Sequence, residues 1–144
     1  MHTIKALLAP CVLVLLAGCA SDGLLSKTAA PAETFEVGAN YQAAYRRAAE
    51  YVRVCHEERQ HAYGLVYQSK RQQGAKGAPN EVVVFKESEP RKILQRITAQ
   101  ADGPAASRVT VTVLGDGAWG AEEIAAAKAS IQSSTPVCRP LDKR

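Results

Sequence analysis

Between residues 40 and 57 apolar positions recur at spacings of three and four. Tyr41, Ala44, Tyr45, Ala48, Val52 and Cys55 therefore share one side of a helix. Asn40 stands in front of the run as an N-cap, a residue whose side-chain oxygen accepts an otherwise unpartnered backbone N–H of the first turn. The opposite side carries Arg46, Arg47, Glu50, Arg53 and Glu57, a solvated face on which Glu50 meets Arg46 or Arg53. The period then changes to two. Tyr63, Leu65 and Tyr67 alternate with Gly64, Val66 and Gln68, which predicts a strand over Ala62 to Lys70. A loop from Arg71 to Asn80, with two glycines and a proline, leads to a second strand over Glu81 to Glu87, built on Val82-Val83-Val84-Phe85 and closed before Pro90. Lys92 to Gln100 is the third, with Ile93, Ile97 and Ala99 on one side and Leu94, Arg96 and Thr98 on the other. Arg108 to Leu114 is the fourth and the clearest, because Val109, Val111 and Val113 alternate with Arg108, Thr110 and Thr112. Thr34 to Val37 reads as a short leading strand or as an extended segment laid on the domain. Ala121 to Gln132 predicts a second helix with Ala121, Ile124, Ala127 and Ile131 as its apolar face. Glu122 and Glu123 near its start and Lys128 further on complement the helix dipole.

Short turns between successive strands favour an antiparallel meander whose dry face needs a cover, and two helices are available to provide it. The expected fold is a two-layer α+β domain over residues 34–144, an antiparallel four-stranded sheet with two helices in the order α-β-β-β-β-α and one disulfide. Apolar residues make up 47% of the chain but aromatic ones only 6%, so aliphatic and alanine packing must supply most of the core.

The amino-terminal residues follow another pattern. Lys5 precedes an apolar run from Ala6 to Ala20 that contains Pro10 and is shorter than the roughly 18 residues a spanning helix needs. A positive start, an apolar stretch and the small residues Ala17-Gly18 describe a secretory signal. Leu16-Ala17-Gly18-Cys19 resembles the lipobox of small bacterial lipoproteins, and the resemblance covers this segment alone, the following domain matching no family recognised from its sequence. It implies a signal peptide at residues 1–18, cleavage before Cys19, and acylation of the Cys19 thiol and of the new amino terminus, palmitate being a typical chain. Three chains hold a protein on a membrane almost permanently, at about 0.8 kcal/mol per buried methylene. Ala20 after the cysteine implies the outer membrane, facing the periplasm, rather than the inner one. Residues 19–33 then form the lipidated cysteine and a flexible tether of Ala, Ser, Thr, Gly and Pro character. With Cys11 removed in the signal and Cys19 acylated, Cys55 and Cys138 remain as one pair in an oxidising compartment and are expected to form a disulfide.

Candidate chemistry is sparse. Gly115-Asp116-Gly117-Ala118-Trp119-Gly120 matches the spacing of a dinucleotide-binding turn, but no strand-like run follows to complete a parallel βαβ unit, so it reads as a corner with Trp119 as a core plug. Cys55, His56, His61 and Cys138 would make a tetrahedral zinc set by type, yet neither C-x-x-C nor H-E-x-x-H is present, and His56 and His61 read instead as polar residues at a helix end. No nucleophile motif occurs, and Glu57-Glu58 and Glu122-Glu123 are sequence neighbours that solvate helix surfaces rather than facing acid and base. No catalytic residue, metal ligand or cofactor is therefore assigned. Arg91, Lys92, Arg96 and Trp119 are the candidates for a partner surface. The formal net charge of +4 suits anionic lipid, lipopolysaccharide or peptidoglycan and equally serves solubility, while an exported chain does not meet nucleic acid. The functional expectation is a non-enzymatic envelope protein, bound to the bilayer through acylated Cys19, that binds another envelope component or assists assembly. The alternative is a periplasmic metal- or small-ligand-binding or inhibitor module.

Overall fold

Alternating residues set the sheet. The computed structural model describes residues 29–141, so the lipobox, Cys19 and most of the tether lie outside it. Five strands, β1 (Ala32–Val37), β2 (Tyr67–Gln72), β3 (Asn80–Lys86), β4 (Glu89–Ala101) and β5 (Ser107–Val113), form one antiparallel sheet in the order β1-β5-β4-β3-β2. Helices α1 (Tyr41–Val52) and α2 (Ala121–Ser133) pack on one face of it, α1 over β3, β4 and β5 and α2 over β5 and β1. Among the described residues no helix is long and apolar enough to cross a membrane.

The architecture is α+β with one disulfide, as the residue pattern predicts, but the sheet has five strands rather than four. The leading segment is the fifth: Phe35 and Val37 point into the core opposite Val109 and Ser107, and the hydroxyls of Thr34 and Thr110 meet at 2.8 Å on the outer face. Strand β1 opens at Ala32, so the end of the expected tether is part of the sheet, where Glu33 accepts from Lys128 of α2 at 2.6 Å. The second correction concerns residues 62–66. They form a short 3-10 turn and a loop, with Tyr63, Leu65 and Val66 exposed, and only Tyr67 of the alternating set is buried. The third is in β4. A bulge opposite Phe85 lets Leu94 and Gln95 both enter the core and leaves Ile93 on the outer face, against the side assigned from alternation.

Of the expected face of helix α1, Ala44, Tyr45, Ala48 and Val52 are buried and Tyr41 is half-buried, while Tyr51, which the spacing does not single out, is buried with them; Asn40 Oδ1 accepts the Ala43 N–H at 2.9 Å. A π-helical turn, Arg53–Glu57, continues it and ends where Glu58 N–H donates to Arg53 O. Helix α2 buries Ile124, Ala127 and Ile131, while Ala121 is exposed. Beyond α2, the Val137 N–H donates to Ser130 Oγ at 2.7 Å, which folds the carboxy-terminal segment back along the helix. In the β2–β3 loop Gly74 is required sterically, since a Cβ there would stand 2.5 Å from the Pro79 carbonyl oxygen.

Candidate functional site

Where α1 gives way to its π-helical turn, Cys55 and His56 are both buried, on adjacent positions that a regular helix would send in different directions. Cys55 bonds to Cys138 across a sequence separation of 83, with Cα atoms 5.2 Å apart. The expected disulfide is thus formed, and it delivers the next residue, Arg139, into the interior.

His56 and Arg139 converge on Glu123, a carboxylate in the first turn of α2 with no solvent exposure. Its Oε1 accepts from the Tyr51 hydroxyl, from His56 Nε2 at 2.8 Å and from Gln95 Nε2 at 2.9 Å. Its Oε2 accepts from Arg139 Nε at 2.8 Å. A carboxylate only accepts, so His56 carries a proton on Nε2. His56 Nδ1 and Gln95 Oε1 have no hydrogen-bond partner among the described residues. Around this centre, Trp119 lies against His56 at 5.0 Å between ring centroids and against Tyr67 at 5.3 Å. The His61 ring stacks on His56, and its Nε2 donates to the His56 carbonyl at 2.8 Å.

The electrostatics follow from these contacts. Burial is the largest influence on Glu123 and works to raise its pKa. The hydrogen bond and charge of His56, the Tyr51 hydroxyl and the Arg139 guanidinium outweigh it and hold the carboxyl below its ordinary value. Burial, then the charge and hydrogen bond of Glu123, push the Tyr51 hydroxyl well above its ordinary range, so it remains a donor. Burial lowers His61, opposed by its bond to the His56 carbonyl. The arrangement joins α1, α2, β4 and the carboxy-terminal segment through one anion whose two oxygens are both engaged. The carboxylate itself has no solvent exposure, and its hydrogen bonds tie these segments of the fold together.

Glu123 corrects the sequence expectation that Glu122 and Glu123 both solvate α2, and His56 corrects the expectation of a polar helix end. Each is buried because a partner of opposite polarity waits in the core. Arg139 and Gln95 carried no sequence expectation. A signal for Glu123 did exist: Ala126, Ala127 and Ser130 stand three, four and seven residues on, a small-residue stripe that marks a buried helix face. The zinc set does not assemble, as both cysteines are in the bridge, and among the described residues no three His, Cys, Asp or Glu side chains come together to hold a metal.

The glycine-rich corner is a turn, with Gly115 N–H donating to the Trp119 carbonyl at 2.7 Å and Trp119 buried in the core. Of the partner-surface candidates, Arg91 is exposed and Lys92 half-buried. Arg96 lies on the outer face of the sheet, 3.0 Å from Glu81, on the side away from Trp119. The four do not form one surface. Cys19 lies outside the described residues. No protein-family model matches the chain, and no curated protein matches its sequence.

Proposed function

We propose that this chain is a lipid-anchored component of the bacterial cell envelope, acylated at Cys19, whose α+β domain acts in the periplasm as a non-catalytic binding or assembly accessory. The outer membrane is the assigned address, on the strength of Ala20. The observation that supports this reading is the Cys55–Cys138 bridge: a disulfide closing most of the domain is at home in an oxidising compartment, which is where a secretory signal with a lipobox would send it. The cysteines of the chain then divide cleanly, with Cys11 discarded, Cys19 acylated and the other two bridged. The non-catalytic part of the reading draws on the enclosed Glu123 centre, whose ionisable groups are engaged with one another.

Fatty-acid labelling in a bacterial host tests it. Label should enter the wild-type chain and should be lost in Cys19→Ala, and the wild-type protein should fractionate with outer membranes. Equal label in both forms would remove the lipoprotein assignment, and free, alkylatable Cys55 and Cys138 in the folded protein would remove the compartment.

A further inference from the structure

One end of the sheet carries an apolar tip. Tyr63 is 86% exposed, and Leu65, Val66 and Leu141 are each at least 37% exposed beside it. Leu65 is common to two shallow depressions, one shared with Tyr63 and Leu141 and the other with Val66 and Lys86, which makes the tip continuous. Tyr63 also has a left-handed backbone, φ 59°, followed by Gly64 at φ 66°. A bulky residue in that conformation is strained, and here the strain holds an aromatic ring out in water, where the fold itself gains nothing from it.

The register shows what lies level with this tip. Tyr67 stands opposite Lys86, Phe85 opposite Ile93, Gln95 opposite Val113, and Thr112 opposite Ala32. The point at which the chain enters the domain, where the Pro31 carbonyl accepts from Val113, is therefore at the same end of the sheet as Tyr63 to Val66. It is four strand spacings away, roughly 20 Å. The chain from Cys19 to Ala30 spans at most about 40 Å, whatever its conformation. An anchor at Cys19 thus keeps the domain within reach of the membrane and attaches it at this end of the sheet. Arg91 and Lys92 follow the β3–β4 hairpin at the same end, and Arg59 precedes the tip, partly offset by Glu87 and Glu89.

We propose that the Tyr63–Val66 tip, with Leu141, docks on the phospholipid surface of the membrane that holds the anchor, the tyrosine at headgroup level and the basic residues against anionic headgroups. This rests on the acylation of Cys19. Docking would fix the tilt of the domain.

The test uses the full acylated chain carrying Tyr63→Trp, reconstituted in vesicles of phosphatidylethanolamine and phosphatidylglycerol. The unsubstituted chain supplies the background from buried Trp119. Docking predicts a shift of the position-63 emission to shorter wavelength and its loss to brominated acyl chains, both increased by phosphatidylglycerol and both abolished when Leu65→Asp and Val66→Asp are added. Free quenching of position 63 by acrylamide on the vesicles overturns the proposal. Protection seen in intact envelopes but not in vesicles overturns it in favour of a protein or glycan partner. The mass of the amino-terminal peptide separates the failures: an unmodified Cys19 removes the anchored reading and the docking with it, whereas acylated Cys19 beside an acrylamide-quenched position 63 removes the docking alone.

Discussion

The Glu123 carboxylate and the Arg139 guanidinium, both buried, meet at 2.8 Å one residue beyond the Cys55–Cys138 bridge. Covalent and ionic closure of the domain thus occur side by side. Removing one partner strands the other without water, which typically costs 3–5 kcal/mol. Glu123→Ala and Arg139→Ala should each lose about that much stability in urea unfolding, and the double substitution should lose clearly less than the sum. Additive losses would show that the two groups act independently.

Two groups of the Glu123 centre and its rim contribute acid-side steps of the same sign, beside the solvent-screened surface pair Glu50–Arg53. Glu123 is held below its ordinary 4.5, so as pH falls the unfolded chain binds the proton first. Its stabilisation is complete above that ordinary value and disappears as pH falls through the folded one. His61 is lowered from 6.5, so its unfolded form also protonates first, and stability declines from near 6.5 downward until the folded pKa is passed. Unfolding free energies measured across this range should fall in two stages. His61→Asn should remove the upper stage, and Glu123→Gln should remove the lower one while lowering the plateau.

Reduction of the disulfide should be felt at the tryptophan. Cys55→Ser or Cys138→Ser should cost roughly 2–5 kcal/mol. Because Arg139 lies 6.0 Å from the Trp119 ring and His56 5.0 Å from it, freeing Cys138 should also change Trp119 emission before global unfolding. Peptide mapping without reductant should recover Cys55 and Cys138 in one linked fragment. Unchanged emission on reduction would mean that the ionic closure holds Arg139 by itself.

Asn40 offers a local test. Its side chain accepts the Ala43 N–H at 2.9 Å, and Asn40→Ala should cost about 1 kcal/mol, read as a lower urea midpoint at constant slope.

Elements with sustained periodicity were legible. Tyr41 to Val52 and the Val109, Val111, Val113 alternation emerge as α1 and β5 because each packs on one side over several repeats. The bridge was legible once the lipobox resemblance had set Cys11 and Cys19 aside, since the two cysteines that remain admit one pairing. Periodicity failed where few residues carried it: Tyr63 and Leu65 alternate as in a strand, yet the Tyr63-Gly64 backbone turns away and leaves them in water. A bulge defeated it at Ile93 and Leu94, since one extra residue exchanges the faces. The Glu123 centre was illegible for another reason. Its members come from positions 51, 56, 95, 123 and 139, and only the fold reveals that each charged or polar group has a partner.

Strand β1 and its neighbour β5 also bear on the order in which the molecule can be completed. Thr34 must wait for Thr110, 76 residues later, before the edge of the sheet closes. A chain that emerges amino end first therefore keeps its leading strand unpaired until β5 has been delivered, after β2, β3 and β4 but ahead of α2. Long-range pairing of this kind folds slowly because loop closure precedes the contacts that reward it.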